Sequence, residues 1–132
     1  EIRLLEQSSL SVKKVAGNEI KLFSNSTGFL DGTDLRCKKI RVRHEGSGEI
    51  TLRGREVLHL DAQVYGNGSL KCEELFLRDA TVTHHGTGDI LIAPNNWLDA
   101  RIYQGGNLYL FEKPAGRVIK NQGNGGRLIE EY

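Results

Sequence analysis

The chain has 132 residues, enough for one domain, with 16 glycines, 2 prolines and a net charge of +1 at pH 7. The scarcity of proline excludes a collagen-like chain, and the recurrence of leucine, isoleucine and valine argues against intrinsic disorder. Acids and bases are interspersed, which gives no reason to expect a nucleic acid or an anionic membrane as partner. No apolar run approaches the roughly 18 residues of a membrane span.

A sequence repeat of about 20 residues runs through the chain. Each repeat is marked by a glycine two places before an aliphatic residue, and successive markers are 20, 20, 20, 18 and 20 residues apart. The marker glycines are Gly28, Gly48, Gly68, Gly88, Gly106 and Gly126. Extrapolation toward the N-terminus reaches Ser8-Ser9-Leu10, which keeps the aliphatic residue and loses the glycine. A fixed period of this length is the signature of stacked repeats.

Each repeat contains three short predicted strands. Apolar residues come two apart at Leu35 and Cys37 and again at Ile40 and Val42, which is the period of a strand with one buried face. Between such pairs the spacing slips, which indicates a bend. Residues 20 apart share their character, so they form columns, of which one holds Cys37, Val57, Leu77 and Trp97. This column predicts that Trp97 is buried.

The columns predict an all-β, single-stranded parallel β-helix of six to seven coils of about 20 residues. One unit cannot bury its apolar face alone, whereas stacked units bury each column against its own copies. A period of 20 does not match the hexapeptide rule of left-handed β-helices, and parallel crossovers prefer the right hand, so the right-handed form is favoured. The corner glycines supply either a positive φ or room for close backbone approach. A sandwich or an up-and-down barrel is the alternative, although neither requires matching residues at a constant offset.

The repeat becomes irregular at the C-terminal end, within residues 94–132 of the predicted single domain 1–132. The glycine corner before Leu108 is predicted to be two residues short, and Pro94 interrupts the strand pattern. Terminal repeats of solenoids are often atypical, so residues 94–132 are predicted to close the solenoid. The functional interpretation is an aromatic surface for sugar stacking or for a protein partner. With Trp97 assigned to the core, the candidate ligand-binding residues are Tyr103, Tyr109 and Phe111.

The cysteines and histidines indicate neither a disulfide nor a metal site, and no cofactor is predicted. Cys37 and Cys72 are 35 residues apart and belong to different columns, too far for a disulfide, so both are predicted to be buried thiols. His44 and His84 share a column but lie two coils apart, roughly 10 Å, whereas zinc ligands must converge on one point. His84 and His85 are neighbours on a strand and face opposite sides.

No catalytic constellation emerges from the acidic residues. Many parallel β-helices are polysaccharide lyases or hydrolases with clustered carboxylates on one face. Here Glu49 and Asp89 share a column but are separated by Ser69, a span of about 10 Å. We therefore expect a protein that is not an enzyme.

The glycine corners resemble those of a known family. Gly46-Ser47-Gly48-Glu49-Ile50 and Gly86-Thr87-Gly88-Asp89-Ile90 are similar to corners of the head-GIN-domain family of auto-transporter adhesins, domains of unknown function common in Bacteroidetes. The stretches from Gly105 to Tyr109 and from Gly123 to Arg127 resemble the C-terminal end of that family. The resemblance implies a right-handed β-helix exported to the periplasm or cell surface, with the signal or lipoprotein segment absent from this chain. Family members usually carry further upstream sequence, so the chain is expected to be part of a longer exported protein.

Three functions remain open at this stage. The first is a non-enzymatic, adhesin-like module that binds a surface glycan or a protein. The second is a structural β-helix that self-assembles through its solenoid ends, in the manner of bactofilins. The third is a polysaccharide-degrading enzyme, which only the analogy of fold supports.

Overall fold

The computed structural model describes residues 2–4, 10–13, 16–25, 27–121 and 125–132, with side chains from residue 17 onward. Its strands are β1 Ile2–Leu4, β2 Leu10–Lys13, β3 Ala16–Ser24, β4 Phe29–His44, β5 Glu49–Val64, β6 Ser69–His84, β7 Ile90–Ile102, β8 Leu108–Leu110, β9 Gly116–Asn121 and β10 Leu128–Glu130. The proposed corner residues Ser8 and Ser9, and also Gly123 and Asn124, lie outside the described residues. The described ranges include no helix with the length and hydropathy of a membrane span.

All strand pairs are parallel, and their register follows the sequence repeat. Ile20 pairs with Ile40, Ile40 with Leu60, and Leu60 with Ala80, each 20 residues further along the chain. The strands form one continuous ladder from β1 to β10. This arrangement confirms a β-solenoid of about six turns and excludes the sandwich and the barrel, in which neighbouring strands run antiparallel. The handedness stays a prediction.

Each full coil has three faces that share one core. In β4 the buried positions are Leu30, Gly32, Leu35, Cys37, Ile40, Val42 and His44. The spacing is two within a face and three from one face to the next, and register shifts occur at those steps. The chain therefore turns twice within β4, as the slips in the sequence predicted. The strand nevertheless extends through both bends, and Leu35 pairs with Gly54 between the two register shifts.

The glycine corners are close contacts between successive coils. A Cβ added at Gly88 would lie 2.1 Å from the carbonyl oxygen of Gly68, and one at Gly68 would lie 2.3 Å from that of Gly48. Gly125, with φ of +99°, is the described glycine that adopts a positive φ. Of the two reasons anticipated for glycine, close backbone approach applies at Gly68 and Gly88, whereas a positive φ occurs at Gly125 in the last corner.

The two-residue shortening lies in a different place from the one the sequence predicted. His84 pairs with Ile102 and Ile90 with Leu108, so the glycine corners of these two coils have equal length. The missing residues belong to the turn between Ile92 and Leu98, because Cys72 pairs with Ile92 whereas Ala80 pairs with Leu98.

The displaced register makes the prediction for Trp97 wrong. Trp97 pairs with Asp79 on the outside of the third face, and Pro94, not Trp97, pairs with Leu77. The indole is 43% exposed, and its ring covers Gly116, where an added Cβ would lie 2.5 Å from a ring carbon.

The two cysteines are free and buried, as predicted. Burial raises the pKa of the Cys72 thiol. It also raises the pKa of Cys37, which is less deeply buried. Both are neutral thiols that pack as small apolar side chains in the core.

Candidate ligand-binding surface

An apolar strip crosses the outside of the first face near its C-terminal end. Leu91 pairs with Tyr109, and Tyr109 pairs with Ile129. Their side chains therefore form one outward-facing column along the solenoid axis. They alternate along each strand with residues that fill the core, such as Leu108 and Leu110, which the period of a strand requires. Lys71 precedes Leu91 in the same column. The strip therefore begins at a cation and continues through three apolar side chains.

Around this strip lies an open depression of about 520 Å³. Its lining residues are Ser69, Lys71, Asp89, Leu91, Tyr109, Phe111 and Glu131. Tyr109 and Phe111 are half-buried, so part of each ring is accessible. The lining combines aromatic rings, two carboxylates, an ammonium group and a hydroxyl group. This mixture suits a ligand that has both apolar C–H surface and hydroxyl groups.

Tyr103 lies away from this depression, although the sequence grouped it with Tyr109 and Phe111. It follows the third face, on the other side of the glycine corner, where its ring stacks on His85 with centroids 4.4 Å apart. His85 in turn stacks on Tyr65 at 5.0 Å, and both pairs are within 3° of parallel. The structure therefore brings two of the three candidate residues together and places the third in a separate stack.

The stack of Tyr65, His85 and Tyr103 was missed by sequence reasoning. The guanidinium of Arg43 extends it, with its carbon 4.9 Å from the Tyr65 centroid, and Arg43 also donates to the Glu45 carboxylate. Tyr65 and His85 are 20 residues apart, so the repeat could have predicted their contact. Tyr103 follows His85 by only 18 residues, so its place in the stack could be predicted only by locating the two missing residues between Ile92 and Leu98. His85 is stacked between Tyr65 and Tyr103, so this stack links three successive coils and contributes to their stability.

The acidic residues on the first face do not converge on one point. Glu49 and Asp89 are two coils apart with Ser69 between them, as the sequence indicated, and both line a trough beside the glycine corners. Glu49 forms an ion pair with Lys71 at 3.2 Å and accepts a hydrogen bond from Thr51. Among the residues that the structure describes, no three histidine, cysteine or carboxylate side chains are grouped to hold a metal ion.

The buried histidines support the corners. His44 and His84 lie in one column with Val64 between them, and each Nε2 lies within hydrogen-bond distance of the carbonyl four residues later, at Gly48 (2.9 Å) and Gly88 (2.7 Å). His84 Nδ1 also accepts a hydrogen bond from the Gly86 N–H at 3.2 Å. A neutral imidazole with its proton on Nε2 satisfies both contacts of His84. Burial lowers the pKa of His84, because the imidazolium would lose solvation.

The low pKa of His84 predicts that acid destabilises the fold. The unfolded chain binds a proton at His84 near pH 6.5, whereas the folded chain binds it only at lower pH. This contribution to stability is therefore complete above about pH 6.5 and is lost as the pH falls toward the folded pKa. We expect the free energy of unfolding, measured in urea at several pH values, to fall more steeply below pH 6.5 in the wild type than in His84→Gln, which does not titrate. Equal slopes would contradict the assignment.

These features define a class of protein: a parallel β-solenoid whose core columns repeat while its outward columns differ from coil to coil. The chain belongs to the family described as "Putative auto-transporter adhesin, head GIN domain", whose model matches residues 1–114. The resemblance of the glycine corners to that family is thereby confirmed.

A solved structure shares the fold. The crystal structure of a "putative adhesin" from Bacteroides fragilis matches with a TM-score of 0.78 and 20% sequence identity. The match covers 91% of this chain and 56% of the other, so this chain spans little more than half of that protein. No match to the sequence is found among curated proteins.

Proposed function

We propose that the chain is a non-enzymatic, adhesin-like module, exposed in the periplasm or on the cell surface, that binds a glycan. The family description supports an adhesin role, and the similar structure from Bacteroides fragilis is also that of a "putative adhesin". The observation that carries the proposal is the depression around Tyr109 and Phe111, where accessible rings lie beside Asp89 and Lys71. The pyranose ring of a sugar stacks its C–H face on an aromatic ring while its hydroxyl groups bond to the polar side chains.

The role of the whole chain follows from this site. We take residues 1–132 as a single domain with a C-terminal cap over residues 94–132, and the described part of that cap carries Tyr109 and Phe111. A protein ligand at the same depression is the closest alternative. Self-assembly through the solenoid ends is the other, and it predicts that molar mass in light scattering grows with protein concentration.

Binding to a glycan array tests the proposal. We expect the wild-type protein to bind one class of sugar saturably, and Tyr109→Ala to weaken that binding about tenfold, because the stacked ring contributes on the order of 1 kcal/mol beyond its buried area. Asp89→Asn is a second variant that leaves the apolar packing intact, and we expect it to weaken binding as well.

The matched control is Phe29→Ala, since Phe29 faces outward in the first face and is 56% exposed. Its neighbour Leu30 lies four coils before Leu108, the residue next to Tyr109, which is about 19 Å along the solenoid. Phe29→Ala should bind as the wild type does. A blank array, or equal losses in Phe29→Ala and Tyr109→Ala, would contradict the proposal.

A further inference from the structure

The net charge of +1 conceals a concentrated band of positive charge. Residues 36–43 include five cations and no acid, so the rest of the chain carries a net charge of −4. The five side chains, hereafter the basic band, are Arg36, Lys38, Lys39, Arg41 and Arg43. All of them point outward from β4, while the residues between them fill the core.

The basic band passes around a bend of the solenoid. Arg36 and Lys38 flank buried Cys37 on the second face, whereas Arg41 and Arg43 lie on the third face. Alternate residues of a parallel strand are about 6.6 Å apart, so neighbouring charges repel each other across solvent. Because the cations point from two faces, no flat surface can contact all of them at once.

Acidic neighbours neutralise only part of the basic band. Arg41 forms an ion pair with Glu19 at 2.9 Å, and Arg43 pairs with Glu45. Arg36, Lys38 and Lys39 form no ion pair within the described part of the chain.

A recess on the third face adjoins the basic band. This recess of about 310 Å³ is lined by Lys21, Arg41 and Arg43, together with Phe23, Asp61 and Gln63. The recess is therefore lined by the two ion-paired arginines of the band, while the unpaired Arg36, Lys38 and Lys39 precede it on the same strand.

We propose that the basic band binds an anionic polysaccharide whose flexible chain follows the coil around the bend. Charge complementarity selects a polyanion, since the band concentrates positive charge in one coil of a nearly neutral protein. The bend favours a flexible chain over a lipid bilayer or a rigid duplex, which would contact one face at a time. This surface is distinct from the depression around Tyr109, which lies four coils away. The inference therefore stands independently of the proposed function.

Titrations with defined polyanions test the proposal. We expect the protein to bind polygalacturonate and dextran sulfate but not neutral dextran, with the logarithm of the affinity falling linearly as the logarithm of the NaCl concentration rises. The double variant Arg36→Ala/Lys38→Ala should weaken binding on the order of tenfold and reduce the salt slope. The variant Tyr109→Ala should leave this binding unchanged, which separates the inference from the proposed function.

The matched control is the double variant Lys113→Ala/Arg127→Ala, which removes two exposed cations far along the chain. It should bind polygalacturonate within about twofold of the wild type, because distant charges are screened at physiological salt. Three outcomes would overturn the proposal: no binding to either polyanion at low salt, an equal loss in both double variants, or tighter binding to duplex DNA or to phosphatidylglycerol vesicles.

Discussion

Replacing Gly88 with alanine is expected to destabilise the protein by about 3 kcal/mol, at the upper end of what overpacking costs. The new Cβ would lie 2.1 Å from the carbonyl oxygen of Gly68 and 2.7 Å from that of Asn67. Both neighbours are backbone atoms, so no side chain can rotate to make room. Gly68 cannot retreat either, because it approaches Gly48 in the same way. Urea unfolding followed by circular dichroism measures the change.

Gly17→Ala is the matched control for that substitution. Gly17 also lies in a strand, but a Cβ at this position would meet nothing within 4 Å. The free energy of unfolding of the Gly17→Ala variant should remain within about 0.5 kcal/mol of that of the wild type. If Gly88→Ala proved as mild as Gly17→Ala, the corners would not be the close contacts described above.

Replacing Leu70 with alanine is expected to lower the free energy of unfolding by about 3 kcal/mol, within the range for a leucine that leaves a cavity. Leu70 is fully buried in the middle of a column, between Ile50 and Ile90. The cavity would lie between two neighbouring coils that the backbone ladder holds at fixed spacing. Relaxation to fill it is therefore limited. Thermal and urea unfolding would both report the loss.

Leu58→Ala makes the same chemical change on the outside of the solenoid. Leu58 is 46% exposed and follows buried Val57 in β5. Its removal should change stability by less than about 0.5 kcal/mol. Similar losses in the two variants would mean that the column of Leu70 is not the core.

The fold was predictable because the repeat imposes the same physical requirement on every coil. Each column must bury like against like, so a 20-residue offset in the sequence became the hydrogen-bonding register, as in the pairing of Leu30 with Ile50. The position of the two-residue shortening was not predictable from glycine spacing alone. A deletion anywhere between Gly88 and Gly106 gives the same spacing, and only the pairing of Ala80 with Leu98 locates it.

The candidate site was predictable only in part. The sequence grouped Tyr103, Tyr109 and Phe111 as one aromatic surface, and the structure brings Tyr109 and Phe111 together in one depression. Tyr103 is close to them in sequence, but the glycine corner turns the chain between them and carries it to another surface. The prediction that Trp97 is buried was wrong because the register shift places this residue in an outward column, opposite Asp79. The basic band was hidden because net charge averages over the whole chain.

The most direct test of the proposed glycan site is an NMR titration of the isotopically labelled protein with the strongest sugar from the array. A glycan site at this depression predicts that perturbed backbone amides cluster on the first face, around Lys71, Asp89, Leu91, Tyr109 and Phe111. Perturbations centred on the stack of Tyr65, His85 and Tyr103, or scattered over the coils without a cluster, would contradict it.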